Sequence, residues 1–127
     1  MLNPNPSAHK LVSSTQVKRS LTPRRRAREY ALQGIYQWLV IKNSGGFADI
    51  TNISKQLAED PAFSKCQHDL FKKLIEGVSD HTDGLQAQLA PHLDRPIEEL
   101  SPVELGSLLI GAFELVHDIA TPYRVAI

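Results

Sequence analysis

The sequence predicts an all-α protein, a single compact multi-helix bundle, and three observations carry that reading. From residue 22 onward, apolar residues recur at helical spacing. Two helix starts are spelled out, Thr22-Pro23 and Ser101-Pro102-Val103-Glu104, each an oxygen-bearing cap followed by proline in the first turn. Alternating apolar runs joined by hairpin turns are missing. A chain of 127 residues is long enough to bury one core without staples.

Residues 1–21 precede the bundle as a basic tail of low hydrophobicity, expected to be disordered. Pro4, Pro6 and the lack of an apolar face speak against a mitochondrial transit peptide. The first helix is expected from Pro23 to about Lys42, with Ala27, Ala31, Gly34, Ile35, Trp38 and Leu39 on its core stripe. Asn43-Ser44-Gly45-Gly46 ends it, glycine supplying the left-handed turn. A second helix, from about Asp49 to Glu59, offers Ile50, Ile53 and Leu57 before Pro61. A long helical stretch from about Ser64 to Leu93 carries Leu70, Phe71, Leu74, Ile75, Val78, Leu85 and Leu89. Gly77 or Gly84 is its expected point of bending or breaking. Asp94 is expected to cap a brief helix with Ile97 and Leu100. The capping box at Ser101 and Glu104 then starts a helix with Leu105, Leu108, Leu109, Ala112, Phe113 and Val116, ended by Thr121-Pro122. The domain is read as residues 22–127. A chain that stops so soon after that proline reads as C-terminally truncated.

Zero net charge conceals a division. Met1 to Arg28 holds seven Lys or Arg and no acid, while the remainder holds seven bases and all 14 acids. A basic end can dock on phosphates and an acidic body can meet a basic protein. Cys66 is the one cysteine, which excludes a disulfide framework or a cysteine metal cage and suits a reducing, cytoplasmic setting. No apolar run approaches the roughly 18 residues of a bilayer span, so no membrane partner is expected. H-E-x-x-H, P-loop and G-x-G-x-x-G fingerprints are missing, so no catalytic residue, metal or cofactor is assigned. Glu114-x-x-His117 is half of a di-iron motif whose second copy the sequence lacks, and it is read as a partly exposed helix end. His68, His81 and His92 read as surface residues, and Cys66 has no evident activating base.

The most informative run is Arg24-Arg25-Arg26-Ala27-Arg28, placed where the first helix begins. A helix N-terminus is partially positive, so each cation there is unfavourable by about 0.3–1 kcal/mol. Glu29 can pair with Arg25 or Arg26 but offsets only part of the repulsion. Such a local conflict points to a polyanionic ligand. At about 100° per residue, Tyr36 falls away from the core stripe, on the side of Arg25. Guanidinium groups grip phosphates and an exposed ring stacks on an unpaired base, a pairing suited to single-stranded RNA. The same spacing equally fits a solvated helix end with Tyr36 packed under a neighbour. Glu104 has a sufficient role in the capping box, whereas Glu98 and Glu99 serve either solubility or a basic partner.

The stretch R-R-R-A-R-E-Y-A-L-Q-G-I-Y-Q-W, Arg24 to Trp38, resembles the opening helix of the NusB family of bacterial transcription antitermination factors. Leu74-Ile75-Glu76-Gly77-Val78, Ile97-Glu98-Glu99-Leu100, Val103-Glu104 with its following leucines, and Pro122-Tyr123-Arg124-Val125-Ala126-Ile127 extend the likeness in the family's order. The resemblance implies a non-catalytic bundle of about seven helices that pairs with NusE, a small-subunit ribosomal protein, on boxA-type ribosomal RNA. It implies a place in the RNA polymerase antitermination complex, as a monomer or a homodimer. It assigns Arg24, Arg25, Arg26, Arg28 and Tyr36 to RNA binding, Glu98 to the RNA surface and Glu104 to the partner surface. Family chains continue through further helices after the Pro-Tyr-Arg-Val-Ala-Ile segment, and their N-terminal extension is shorter. Two rival functions stand beside this one. The first is a NusB-like module fronting a ribosomal-RNA cytosine methyltransferase, which requires a catalytic domain downstream. The second is a helical protein-interaction module without an RNA role.

Overall fold

In this computed structural model, residues 21–117 are described. The expected tail lies outside them except for Leu21, as does Thr121-Pro122. Among the described residues there are five α-helices and no strand: α1 Pro23–Asn43, α2 Ile50–Leu57, α3 His68–Asp80, α4 Thr82–Leu89 and α5 Pro102–Val116. Short 3₁₀ turns at Pro61–Lys65, Ala90–His92 and Ile97–Glu99 link them.

α1 is the central helix, packed against α2, α3 and α5. Thr22 caps it as expected, its hydroxyl accepting from the Arg25 N–H at 3.1 Å. Its far end closes in a Schellman motif: Gly46 N–H donates to Ile41 O and Gly45 N–H to Lys42 O, both at 3.0 Å. Gly45 sits at φ 85°, a conformation that costs glycine nothing. Ala27, Ala31, Gly34, Ile35, Trp38 and Leu39 are buried as the pattern requires. So is Tyr30, outside the expected stripe. Its hydroxyl donates to Asp60 Oδ2 at 3.0 Å, and its ring meets Phe63 edge-on at 5.1 Å. A tyrosine can enter a core when its polar tip finds such a partner. Burial and the Asp60 carboxylate both raise the Tyr30 phenol pKa above its ordinary value.

The expected long helix from Ser64 to Leu93 is instead a turn and two helices. Asp60 caps the Pro61–Lys65 turn through Ala62 N–H at 3.0 Å, and Phe63 is driven under Tyr30 and Phe71. α3 therefore starts only at His68, anchored by Gln67 N–H on Pro23 O at 3.0 Å. The break falls at His81, not at either glycine. Gly77 stays helical because the Phe113 ring lies against it, where a Cβ would collide with the ring. Gly84 is exposed inside α4 with nothing near its missing Cβ. Asp94 does not cap the next turn, which follows Pro96 without a side-chain cap.

The capping box of α5 forms as written. Ser101 Oγ accepts from Glu104 N–H at 3.1 Å, and Glu104 Oε1 accepts from Ser101 N–H at 2.9 Å. Its buried face differs from expectation: Gly106, Leu109, Ile110, Phe113 and Glu114 turn inward, while Leu108 and Val116 are exposed. Gly106 permits the rotation by letting α5 approach Leu32 and Ile35 of α1. α5 stops at Val116, before the expected proline.

Gly77→Ala should lower unfolding free energy by about 1–3 kcal/mol, because overpacking outweighs the helix-propensity gain; an unchanged urea midpoint would refute the contact. The Ser101 N–H, and then Arg95, hold the Glu104 carboxyl below its ordinary value of 4.5. A depressed folded-state pKa stabilises above the unfolded-state value and is lost as pH falls through the folded one. Glu104→Gln should therefore lose stability at neutral pH and show less further loss during acid titration below pH 4.5.

Candidate nucleic-acid interface

The arginine run occupies the first turns of α1, and no acid stands in the opening turn. The helix spiral sends its four side chains to different surroundings. Arg25 is exposed. Arg24 is half-buried and lines a depression of about 280 Å³ with Gln67, Asp69, Leu70 and Lys73. Arg26, also half-buried, lies close enough to Tyr30 and Cys66 for its charge to oppose the rise in their pKa values. Arg28 crosses to α5, where Nε donates to Glu114 Oε2 at 2.7 Å. The Glu114 side chain is only 9% exposed and that of Arg28 34%.

That ion pair corrects the expectation of a partly exposed Glu114. A carboxylate enters the core only with a partner, and Arg28 supplies one. Arg28 is thus engaged within the fold, tying the basic end of α1 to the end of α5. Helical spacing carried the signal, because about 100° per residue puts Arg28 at the edge of the core stripe. Glu29 is not drawn onto Arg25 or Arg26. The ion pairs between described residues are Arg28–Glu114 and Arg95–Glu104.

Tyr36 is 41% exposed. It lines a groove of about 330 Å³ with Glu29, Leu32, Gln33, Gln37 and Val103. A smaller hollow of about 200 Å³ shares Glu29 and Leu32 and adds Arg28, Ser107, Ile110, Gly111 and Glu114. Sharing Glu29 and Leu32, the two form a trough on the α1–α5 seam, with Arg28 lining one part and Tyr36 the other. Val103 connects it to a larger depression of about 480 Å³ bounded by Leu93, Arg95, Leu100, Glu104 and Leu108. Neither the trough nor Val103's part in it was visible in the spacing of α1.

Glu104 stands on that outer wall, with Oε2 accepting from Arg95 Nη2 at 3.0 Å. Glu98 is exposed on the Ile97–Glu99 turn and lines none of these hollows. The fold therefore links Arg28, Tyr36 and Glu104 along one surface, with Arg24 facing the α3 side and Glu98 outside the trough. Cys66 is buried, and burial raises its thiol pKa, which opposes thiolate chemistry. Among the described residues no helix is long and apolar enough to cross a membrane.

The sequence matches the NusB family over residues 25–127. It is 47% identical over 104 residues to the transcription antitermination protein NusB of Bordetella pertussis, covering 82% of this chain and 67% of that one. Identity to the protein of that name from Aromatoleum aromaticum is 45% over 108 residues, covering 85% and 71%. For that from Thiobacillus denitrificans it is 46% over 104 residues, covering 82% and 68%. The chain thus spans about two thirds of the length of these relatives. Their names describe antitermination and not a catalysed reaction, in keeping with the expected non-catalytic factor.

The Arg28–Glu114 tie yields its own prediction. Arg28→Ala strands a buried carboxylate and should cost about 1.5–3 kcal/mol of stability, reduced by the solvent reaching Arg28. Arg28→Met combined with Glu114→Leu should recover most of the loss. Urea unfolding checks both, and an Arg28→Ala midpoint equal to wild type would show that the pair holds nothing.

Proposed function

The chain belongs to the NusB family, and from that premise we propose that it binds boxA-type single-stranded RNA together with NusE and supports antitermination of ribosomal RNA transcription. One observation carries the RNA part of this reading. Arginines crowd the positive end of α1, whose first turn holds no acid, Arg25 is exposed among them, and an exposed ring lies farther along the same helix. The local repulsion is relieved when a phosphate chain arrives, because backbone dipole and guanidinium charge then favour the same ligand.

Residues of the surface take different parts. Arg25, outermost in the run, meets phosphate directly, with Arg24 and Arg26 adding positive potential beside it. Arg28 holds α1 against α5 through Glu114 and shapes the trough instead of reading the strand. Tyr36 offers a face on which an unstacked base rests. Glu104, beside Arg95, offers the carboxylate on which a basic ribosomal protein docks, and Glu98, exposed on its turn, stands at the RNA surface. RNA held by both proteins binds more tightly than by either, since the second contact becomes intramolecular.

A mobility-shift titration of boxA-type and scrambled RNA, with and without NusE, tests the whole. Preference for the boxA-type strand, strengthened by NusE, is expected; equal retardation of both RNAs would overturn it. Arg25→Ala should weaken binding and flatten the log–log salt slope by about 0.7. Tyr36→Ala should cost about 1–3 kcal/mol while leaving that slope in place. An unaltered affinity in either variant would remove that residue from the interface.

A further inference from the structure

Two imidazoles that the RNA surface does not use meet where α3 gives way to α4 and where α5 ends. His81 caps α3 and His117 caps α5, and both are exposed. Their ring centres are 5.8 Å apart, with planes at 53°. Phe113 sets the arrangement, its ring centre 4.2 Å from that of His117 and 6.3 Å from that of His81. Phe113 is itself seated against Gly77.

The tautomer of His81 follows from its neighbour. Nδ1 lies 2.9 Å from the Gly77 carbonyl, which can only accept, so Nδ1 carries the hydrogen and Nε2 presents a lone pair. Metal-bound histidines characteristically donate their other ring N–H to such a carbonyl, which fixes the ring and raises ligand basicity. With metal–nitrogen distances of about 2.0–2.1 Å, two imidazoles on one tetrahedral ion have ring centres roughly 5–5.5 Å apart. The observed 5.8 Å is within a few tenths of that span. His81, but not His117, also lines a depression of about 310 Å³ with Asp80, Asp83 and Lys42, two acids to one base. Lys42 Nζ is drawn over the Trp38 ring, 4.3 Å from its centre.

We propose that His81 and His117 form a two-histidine site for a divalent transition metal ion of the zinc, nickel and copper class, with solvent completing its coordination. Imidazole suits these ions. Among the described residues no third histidine, cysteine or carboxylate gathers with the pair, so the site is open and exchangeable, unlike a four-ligand structural site. The ion joins the α3–α4 junction to the end of α5, and binding only the folded chain it stabilises by mass action.

The test is calorimetric titration of the full chain with the chlorides of zinc, nickel and copper. A His9→Ala background is used so that the sequence's fifth histidine does not contribute. One ion per chain is expected, copper bound most tightly. His81→Ala and His117→Ala should each weaken binding at least tenfold, and the double variant should bind no better than either. His92→Ala and His68→Ala should leave it unchanged. The ion should raise Tm in the parent and His92→Ala chains and leave it unmoved in the His117→Ala chain, whose metal-free helical circular dichroism should match the parent. Absence of binding by all three metals, or full affinity in the His117→Ala chain, would overturn the site.

Discussion

α1 must be two things along one length, a wall of the core and a charged surface, and the other elements take their places from that constraint. Its inner stripe is small at Ala27, Ala31 and Gly34, so neighbours approach closely: Gly34 lies against Ile75 and Leu57, leaving no room for a Cβ. Its outer side carries the arginines and Tyr36. Between the two lies Arg28, half in and half out, fastened to Glu114. That pair, together with the apolar packing of α1 on α5, seats the cation-rich start of the helix.

The electrostatic arrangement follows. Cations at a helix N-terminus oppose the backbone dipole, and the protein answers only in part. The Arg28 guanidinium is satisfied by Glu114, and Arg25 remains at the surface. The opposite wall, around Glu104 and Arg95, is neutralised pairwise and organised by a helix cap. Arg28, Tyr36 and Glu104 therefore line neighbouring hollows between α1 and α5, while Arg25 stands exposed at the start of α1.

Local chemistry made much of this legible in the sequence. The Thr22 cap, the glycine turn after Asn43, the Asp49 start of α2 and the Ser101–Glu104 box each depend on neighbours within a few residues, and each forms. What escaped depends on distant partners. Glu114 is buried because of a residue 86 positions away, and Tyr30 because Asp60 comes to meet it. Gly77 was read as a place to bend, whereas its lost side chain makes space for Phe113. The break at His81 has no strong breaker residue, so periodicity carried the helix through it. At the interface, the exposure of Tyr36 followed from helix geometry alone, but the unequal roles of the arginines required knowing what stands opposite each.

Trp38 is the sole tryptophan, 7% exposed at the inner face of α1 beneath the Lys42 ammonium. Its indole emission therefore reports on a single locus, the seat of the central helix among its neighbours. Because that locus is shielded from solvent, fluorescence separates loss of folding from events at the basic tip. Nature has given the molecule a built-in optical gauge of whether its central strut is in place.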